Sequence, residues 1–208
     1  MSNNNAQLAS GIQISGTGIT LRNVEASNNI GDGISIVGYY TVPPNPYPRT
    51  DVTFEGKVSL NYNILPAGLW IVNGFGIPTS GIVRITGDLN IDRNALWGVV
   101  IGNETDVSIV LGKGSSPRQP ASKSNFGSLI SCGNGFYDIW NDGKGDFEGT
   151  DYTCGKTFSF NNADLPVCLP CPHCSLFSRT LETASVNAIT LEQQANDIDS
   201  DFRFVAET

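Results

Sequence analysis

The run CLPCPHC places three thiols, Cys168, Cys171 and Cys174, around His173, the only histidine in the 208-residue chain. Three sulfurs and one imidazole make a formal zinc set. Ordinary zinc modules draw a second ligand pair from a distant segment, and none follows here, while two prolines stiffen the run. Disulfides and free thiols therefore stay open beside zinc. With five cysteines in all, at least one is unpaired or joins another chain. Cys132 and Cys154 are 22 positions apart, close to one turn of the repeat described below, so they could stack as a disulfide or as a buried thiol pair.

Acidic residues form a second group. The Gly-rich run NDGKGDFEGTD carries Asp142, Asp146 and Asp151, with Asp138 and Glu148 close by, and flexible acidic loops of this kind suit calcium. Its spacing matches no EF-hand, and a solvated turn is the plainer reading. The same applies to Asp197, Asp199 and Asp201, where Phe202 occupies the position that needs glycine. No cofactor is expected, calcium being the one that these acids leave open.

Aromatic residues form a third. Tyr39, Tyr40 and Tyr47 ride on the proline-rich run YYTVPPNPYPRT, Phe75 on GFGIPTSG, and Trp70 lies near the same edge. Their flat apolar faces with polar tips suit sugar rings or a protein partner. The blander alternative is that they only fold these loops onto the body beneath. Trp97, beside a turn, reads as turn packing against Leu65 or Pro66. A single glycosylation sequon, Asn103-Glu104-Thr105, also falls at a turn.

The elements that position these groups are written as a repeat. DVTFEGKVSLNYNILPAGLWIVN (51–73) overlays the stretch ending at Asn103 so that Val52 meets Val83, Phe54 Ile85, Val58 Leu89, Leu60 Ile91, Leu69 Val99 and Ile71 Ile101. Each copy has three runs of apolar and polar residues in alternation, the signature of strands. The copies begin about 30 residues apart, a solenoid period. One rung is therefore three short strands joined by polar turns. Upstream, SNNIGDGISIVG supplies a turn and a third strand, and GIQISGTGITL fits the first two strands through Ile12, Ile14, Gly16, Ile19 and Leu21. SNNNAQLASGIQI resembles SNNIGDGISI as well, so the repeat starts part-way through a rung. The register places Lys57 beside Asp88 as a favourable surface pair. Arg93 and Asp92, adjacent on a strand, are expected to point in opposite directions.

This frame, with Asn29, Asn63, Asn94 and Asn134 in the turn before the third strand, resembles the right-handed parallel β-helix of the pectin-lyase-like superfamily over about residues 3–160. Asn suits the turn because it tolerates the left-handed conformation and bonds its counterpart in the next rung. The superfamily includes lyases and hydrolases of acidic polysaccharides. Hydrolases need paired carboxylates about the scissile bond, and the polygalacturonase motifs Asn-Thr-Asp, paired Asp, His-Gly and Arg-x-Lys are absent from this chain. The fold is carried over from the resemblance, and no catalytic residue is.

The sequence thus predicts an all-β chain. Residues 1–162 form a right-handed parallel β-helix of about five three-stranded rungs, open at its N-terminal end. Residues 163–175 are a Cys/Pro-rich segment, and 176–208 an acidic, partly helical or disordered tail that carries half of the net charge of −8. That charge argues against a phosphate-backbone partner. No apolar run reaches the length of a membrane span, and the first 30 residues show no secretory leader. The expected function is a non-catalytic module that contacts carbohydrate, or is adhesive or structural, outside the cell or at its surface. A polysaccharide or a cell-surface protein is the expected partner, with end-to-end association through the open rung as a further expectation. The alternative is a fragment or divergent member of a polysaccharide lyase or glycoside hydrolase.

Overall fold

The computed structural model describes residues 10–38, 49–73, 79–112, 127–160 and 162–172. The chain divides into two compact units, 1–171 and 172–208, and all the strands belong to the first. Among the described residues every regular element is a strand. They are β1 (Ile12–Ile14), β2 (Ile19–Arg22), β3 (Ile34–Val37), β4 (Arg49–Glu55), β5 (Lys57–Ser59), β6 (Ala67–Val72), β7 (Thr79–Ile85) and β8 (Asp88–Asp92). The order continues with β9 (Trp97–Ile101), β10 (Thr105–Leu111), β11 (Ser128–Cys132), β12 (Tyr137–Asn141), β13 (Phe147–Glu148), β14 (Tyr152–Cys154) and β15 (Thr157–Ser159).

Each strand pairs in parallel with its counterpart one turn away, giving three sheets. The six-stranded sheet runs β1-β3-β6-β9-β12-β15, the five-stranded β2-β4-β7-β10-β13 and the four-stranded β5-β8-β11-β14. The chain visits the three sheets in turn, which makes it a parallel β-helix of three-stranded rungs. The register follows the sequence repeat: Val52 pairs with Val83, Val58 with Leu89, Leu69 with Val99 and Ile71 with Ile101. Because side chains alternate across a strand, this register lines every second residue up inside. Ile36, Ile71 and Ile101 form one fully buried row, and Val58, Leu89, Leu129 and Tyr152 another. Each such aliphatic stabilises the fold by about 1.5–3 kcal/mol.

The N-terminal stretch departs from the expected frame. Ile12 and Ile14 pair with Ile34 and Ile36 as third-strand residues, while Ile19 and Leu21 pair with Val52 and Phe54 as first-strand residues. The second-strand place is taken by Val24–Ala26, where Glu25 bridges to Ser59 and Ala26 is fully buried. Alternation alone does not say to which sheet a strand belongs, so the frame slipped by one strand there.

The turns between the four- and six-stranded sheets carry a hydrogen-bonded column. The Asn29 side-chain amide donates to Asn63 Oδ1 at 2.9 Å, Asn63 to Asn94 at 3.0 Å and Asn94 to Asn134 at 2.9 Å. The backbone N–H of each also donates to the same acceptor. The other amide proton reaches back to a carbonyl of the preceding rung: Asn63 to Ala26, Asn94 to Leu60, Asn134 to Ile91. The column ends on Asp138, whose Oδ1 accepts both donors of Asn134, and whose Oδ2 accepts the N–H groups of Gly155 and Lys156. The left-handed conformation lies one residue earlier than expected, at Asn28, Tyr62, Arg93 and Gly133. The ladder asparagines are selected by their amides rather than by their φ. The glycines of the frame also serve this column. A Cβ on Gly33, Gly68 or Gly98 would lie 2.6–2.8 Å from the amide nitrogen of Asn63, Asn94 or Asn134 respectively.

The last strands are clasped by two disulfides, Cys132–Cys171 and Cys154–Cys168, so that Cys132 and Cys154 form neither the disulfide nor the buried thiol pair that their spacing allowed. The reason is parity. Cys154 pairs with Ser131, so Cys154 faces the interior while Cys132, one residue on, faces out. Leu169 bridges to Thr153 beyond β14, which brings Cys168 to Cys154 and Cys171 to Cys132. Cys174 and His173 lie outside the described residues.

Candidate functional site

The inner rows are fixed by folding, so any site must be sought on the outer faces, and these differ in kind. Ser35, Trp70, Val100, Trp140 and Phe158 form one row across the outside of the six-stranded sheet. Ala67, Trp97 and Tyr137 form a second, parallel row. None of these side chains is charged.

Toward its C-terminal end this face becomes a cluster of rings. Trp97 and Trp140 have centroids 5.8 Å apart, Tyr137 and Trp140 5.6 Å, Tyr137 and Phe158 5.2 Å, and Trp140 and Phe158 4.8 Å. Phe136 joins at 6.1 Å from Trp97. The rings pack edge-on or tilted, the arrangement their quadrupoles favour. All five are half-buried, so they hold one another in place and still reach solvent. Among the described residues no hydrogen bond uses the Tyr137 hydroxyl or the Trp140 indole N–H, and the Trp97 indole N–H, closed off from solvent, has no acceptor.

Of the aromatic residues picked from the sequence, Trp70 stands on this face, two strands from Trp140, with Leu69 and Ile71 buried on either side of it. Tyr39, Tyr40, Tyr47 and Phe75 lie outside the described residues. Trp97 is not confined to turn packing: its ring is part of the cluster. The cluster is scattered over positions 97, 136–140 and 158, so only the strand register assembles it. The signal in the sequence was the odd phase of Trp140 and Phe158, each flanked by inward residues.

The outside of the five-stranded sheet is charged. Arg49, Asp51, Val52, Thr53, Ile82 and Arg84 line a shallow cleft of ≈ 180 Å³. Arg49 bonds Asp51 at 3.0 Å, and Arg22 pairs with Glu55 across the neighbouring strands. Asp51 Oδ1 and Thr50 Oγ1 are closed off from solvent without a hydrogen-bond partner. On the four-stranded sheet Lys57 does stand beside Asp88. No ion pair forms between them; Asp88 accepts the Ser128 hydroxyl at 3.0 Å instead. Arg93 and Asp92 do meet, at 3.4 Å, because Arg93 has left the strand for a left-handed turn. The same guanidinium bonds the Tyr62 hydroxyl, and the two contacts raise its pKa.

The acidic run offers no assembled metal site. Asp138 is taken up by the turn column, and burial pushes the Asp142 carboxyl above its ordinary range. Among the described residues no three His, Cys, Asp or Glu side chains converge on a point that could hold a metal ion. Asp197, Asp199 and Asp201 lie outside those residues. Asp32 is a different case, a carboxyl buried between rungs that accepts the Ser10 hydroxyl at 3.1 Å, the Ala67 N–H at 3.1 Å and its own backbone N–H. Burial, only partly offset by these bonds, pushes its pKa up to about 8. No described helix is long and apolar enough to cross a membrane.

No family model matches the chain, and neither the curated proteins nor the solved structures contain a match.

Proposed function

We propose that the chain is a non-catalytic parallel β-helix module that contacts carbohydrate, in an adhesive or structural role, through the outside of its six-stranded sheet. The observation that carries this reading is the five-ring cluster of Trp97, Phe136, Tyr137, Trp140 and Phe158 on an uncharged sheet face. Folding the rungs does not require rings at outward positions, and a cluster that reaches solvent offers the apolar faces and polar tips that sugar rings use. Three parallel sheets and the turn asparagines support kinship with the pectin-lyase-like superfamily. The two disulfides support an oxidising setting, outside the cell or at its surface. The test is a glycan array probed with the intact chain and with a Tyr137→Ala/Trp140→Ala double variant. Retention of glycans by the first and not by the second is the expected result; a folded parent that retains none defeats the reading.

A second reading, a divergent polysaccharide lyase or hydrolase fragment, draws on the cleft where Arg49, Asp51 and Arg84 come together. Depolymerisation of polygalacturonate in the presence of calcium would favour it, and loss of that activity in Arg84→Gln would place it there.

A further inference from the structure

We infer that the ligand of the ring face is a neutral, extended glycan lying along the solenoid axis, and not an acidic one; this rests on the carbohydrate-contacting reading above. Three observations carry it. First, the row Trp70, Val100, Trp140, Phe158 crosses four successive rungs, one residue per rung, with an apolar side chain at every step. Rungs repeat every ~4.8 Å, comparable to the advance of one pyranose unit in an extended β-linked chain, so successive sugars meet successive rows.

Second, cations are kept to the margin of the face, where the exposed Lys156 directly precedes β15. The outward residues of β6, β9, β12 and β15 include no Lys or Arg. A uronate or sulfate laid on ring faces would lose its hydration without a counter-charge, and burying an unpaired charge costs more than ring contact returns. The chain's net charge of −8 also repels a polyanion at long range. The arginines that could pair with carboxylates, Arg22, Arg49 and Arg84, stand on the five-stranded sheet.

Third, the face offers hydrogen-bond donors without internal partners, the Tyr137 hydroxyl and the Trp140 indole N–H, while the Trp97 N–H is closed off beneath them. Neutral sugars present a hydroxyl acceptor at nearly every ring carbon, and a donor rimmed by aromatic rings is matched by such a group.

The full chain is titrated calorimetrically with cello- and chito-oligosaccharides of increasing length and, separately, with polygalacturonate, each at low and high salt. Neutral oligosaccharides should bind, more tightly with length, and with little response to salt. Trp140→Ala should weaken binding about tenfold or more. Tyr137→Phe, which keeps the ring and removes only the hydroxyl, should weaken it by a smaller factor, and Lys57→Gln, on the four-stranded sheet, should leave it unchanged. Circular dichroism establishes that each variant is folded. Preference for polygalacturonate, lost in high salt, overturns the neutral class and leaves the carbohydrate reading standing. Binding of neither, with the parent folded, overturns both. Concentration-dependent dimerisation abolished by Trp140→Ala makes the face a contact between copies and overturns the inference.

Discussion

The outside of the six-stranded sheet and the outside of the five-stranded sheet are built on the same backbone repeat, yet one is aromatic and uncharged and the other holds Arg22, Arg49, Asp51, Glu55 and Arg84. Through the central rungs their inner rows are alike, apolar and buried. The contrast teaches where selection by folding stops. Inward positions are dictated by the core. Outward positions on a parallel solenoid carry little folding information, so a sustained difference between two faces points to what each face meets.

The strongest way to break the comparison is to cross from one side of a strand to the other. Ile101→Asp places an unpaired charge in the core row shared by the rungs, and should cost upwards of about 4 kcal/mol, seen as loss of the β signal in circular dichroism. Val100→Asp, its immediate neighbour on the outside, should fold and spoil only the ring face.

Next in size is the turn column, which joins the four-stranded sheet to the six-stranded one. Asn94→Ala removes two donors and an acceptor and strands the Asn63 amide, for an expected loss of about 2–4 kcal/mol in denaturant unfolding.

The buried carboxyls along this column sharpen the contrast within one sheet. Asp138 accepts four N–H donors, whereas Asp32 accepts the Ser10 hydroxyl, the Ala67 N–H and its own backbone N–H. Asp32 has a folded pKa of about 8, above its unfolded value of 3.8, so the native state holds its proton more tightly. Its contribution to stability is fully present below pH 3.8 and is lost as pH rises through about 8. Asp32→Asn, which cannot ionise, should therefore be more stable than the parent at alkaline pH, by on the order of a few kcal/mol, and the gap should close toward acid. Thermal melts across pH measure this directly.

The smallest effect belongs to the charged face. Arg84→Gln has no ion pair to lose among the described residues and should change stability by about 0.5 kcal/mol or less.

Much of this was legible in the sequence because a period of two, a rung period and recurrent Asn and Gly positions reinforce one another. Val52 over Val83 and Leu69 over Val99 follow from pattern alone. What was not legible depended on parity or on distance. Whether Ile12 begins a first or a third strand is invisible to alternation. That Cys132 points out while Cys154 points in needs the Ser131–Cys154 register. The ring cluster draws on three separated segments, and no local window contains it. Arg93 reaches Asp92 only because the chain turns left-handed there.

Every side-chain amide in the column from Asn29 onward hands one proton forward along the series, which finishes at Asp138, a group with lone pairs to receive and, when ionised, nothing to give. The solenoid therefore has a direction and a terminator. Tandem duplication of an interior segment, from Thr79 to Glu104 for instance, would splice in another amide of the same polarity and leave the terminator where it is. Length in such a protein can change by whole rungs in a single genetic event.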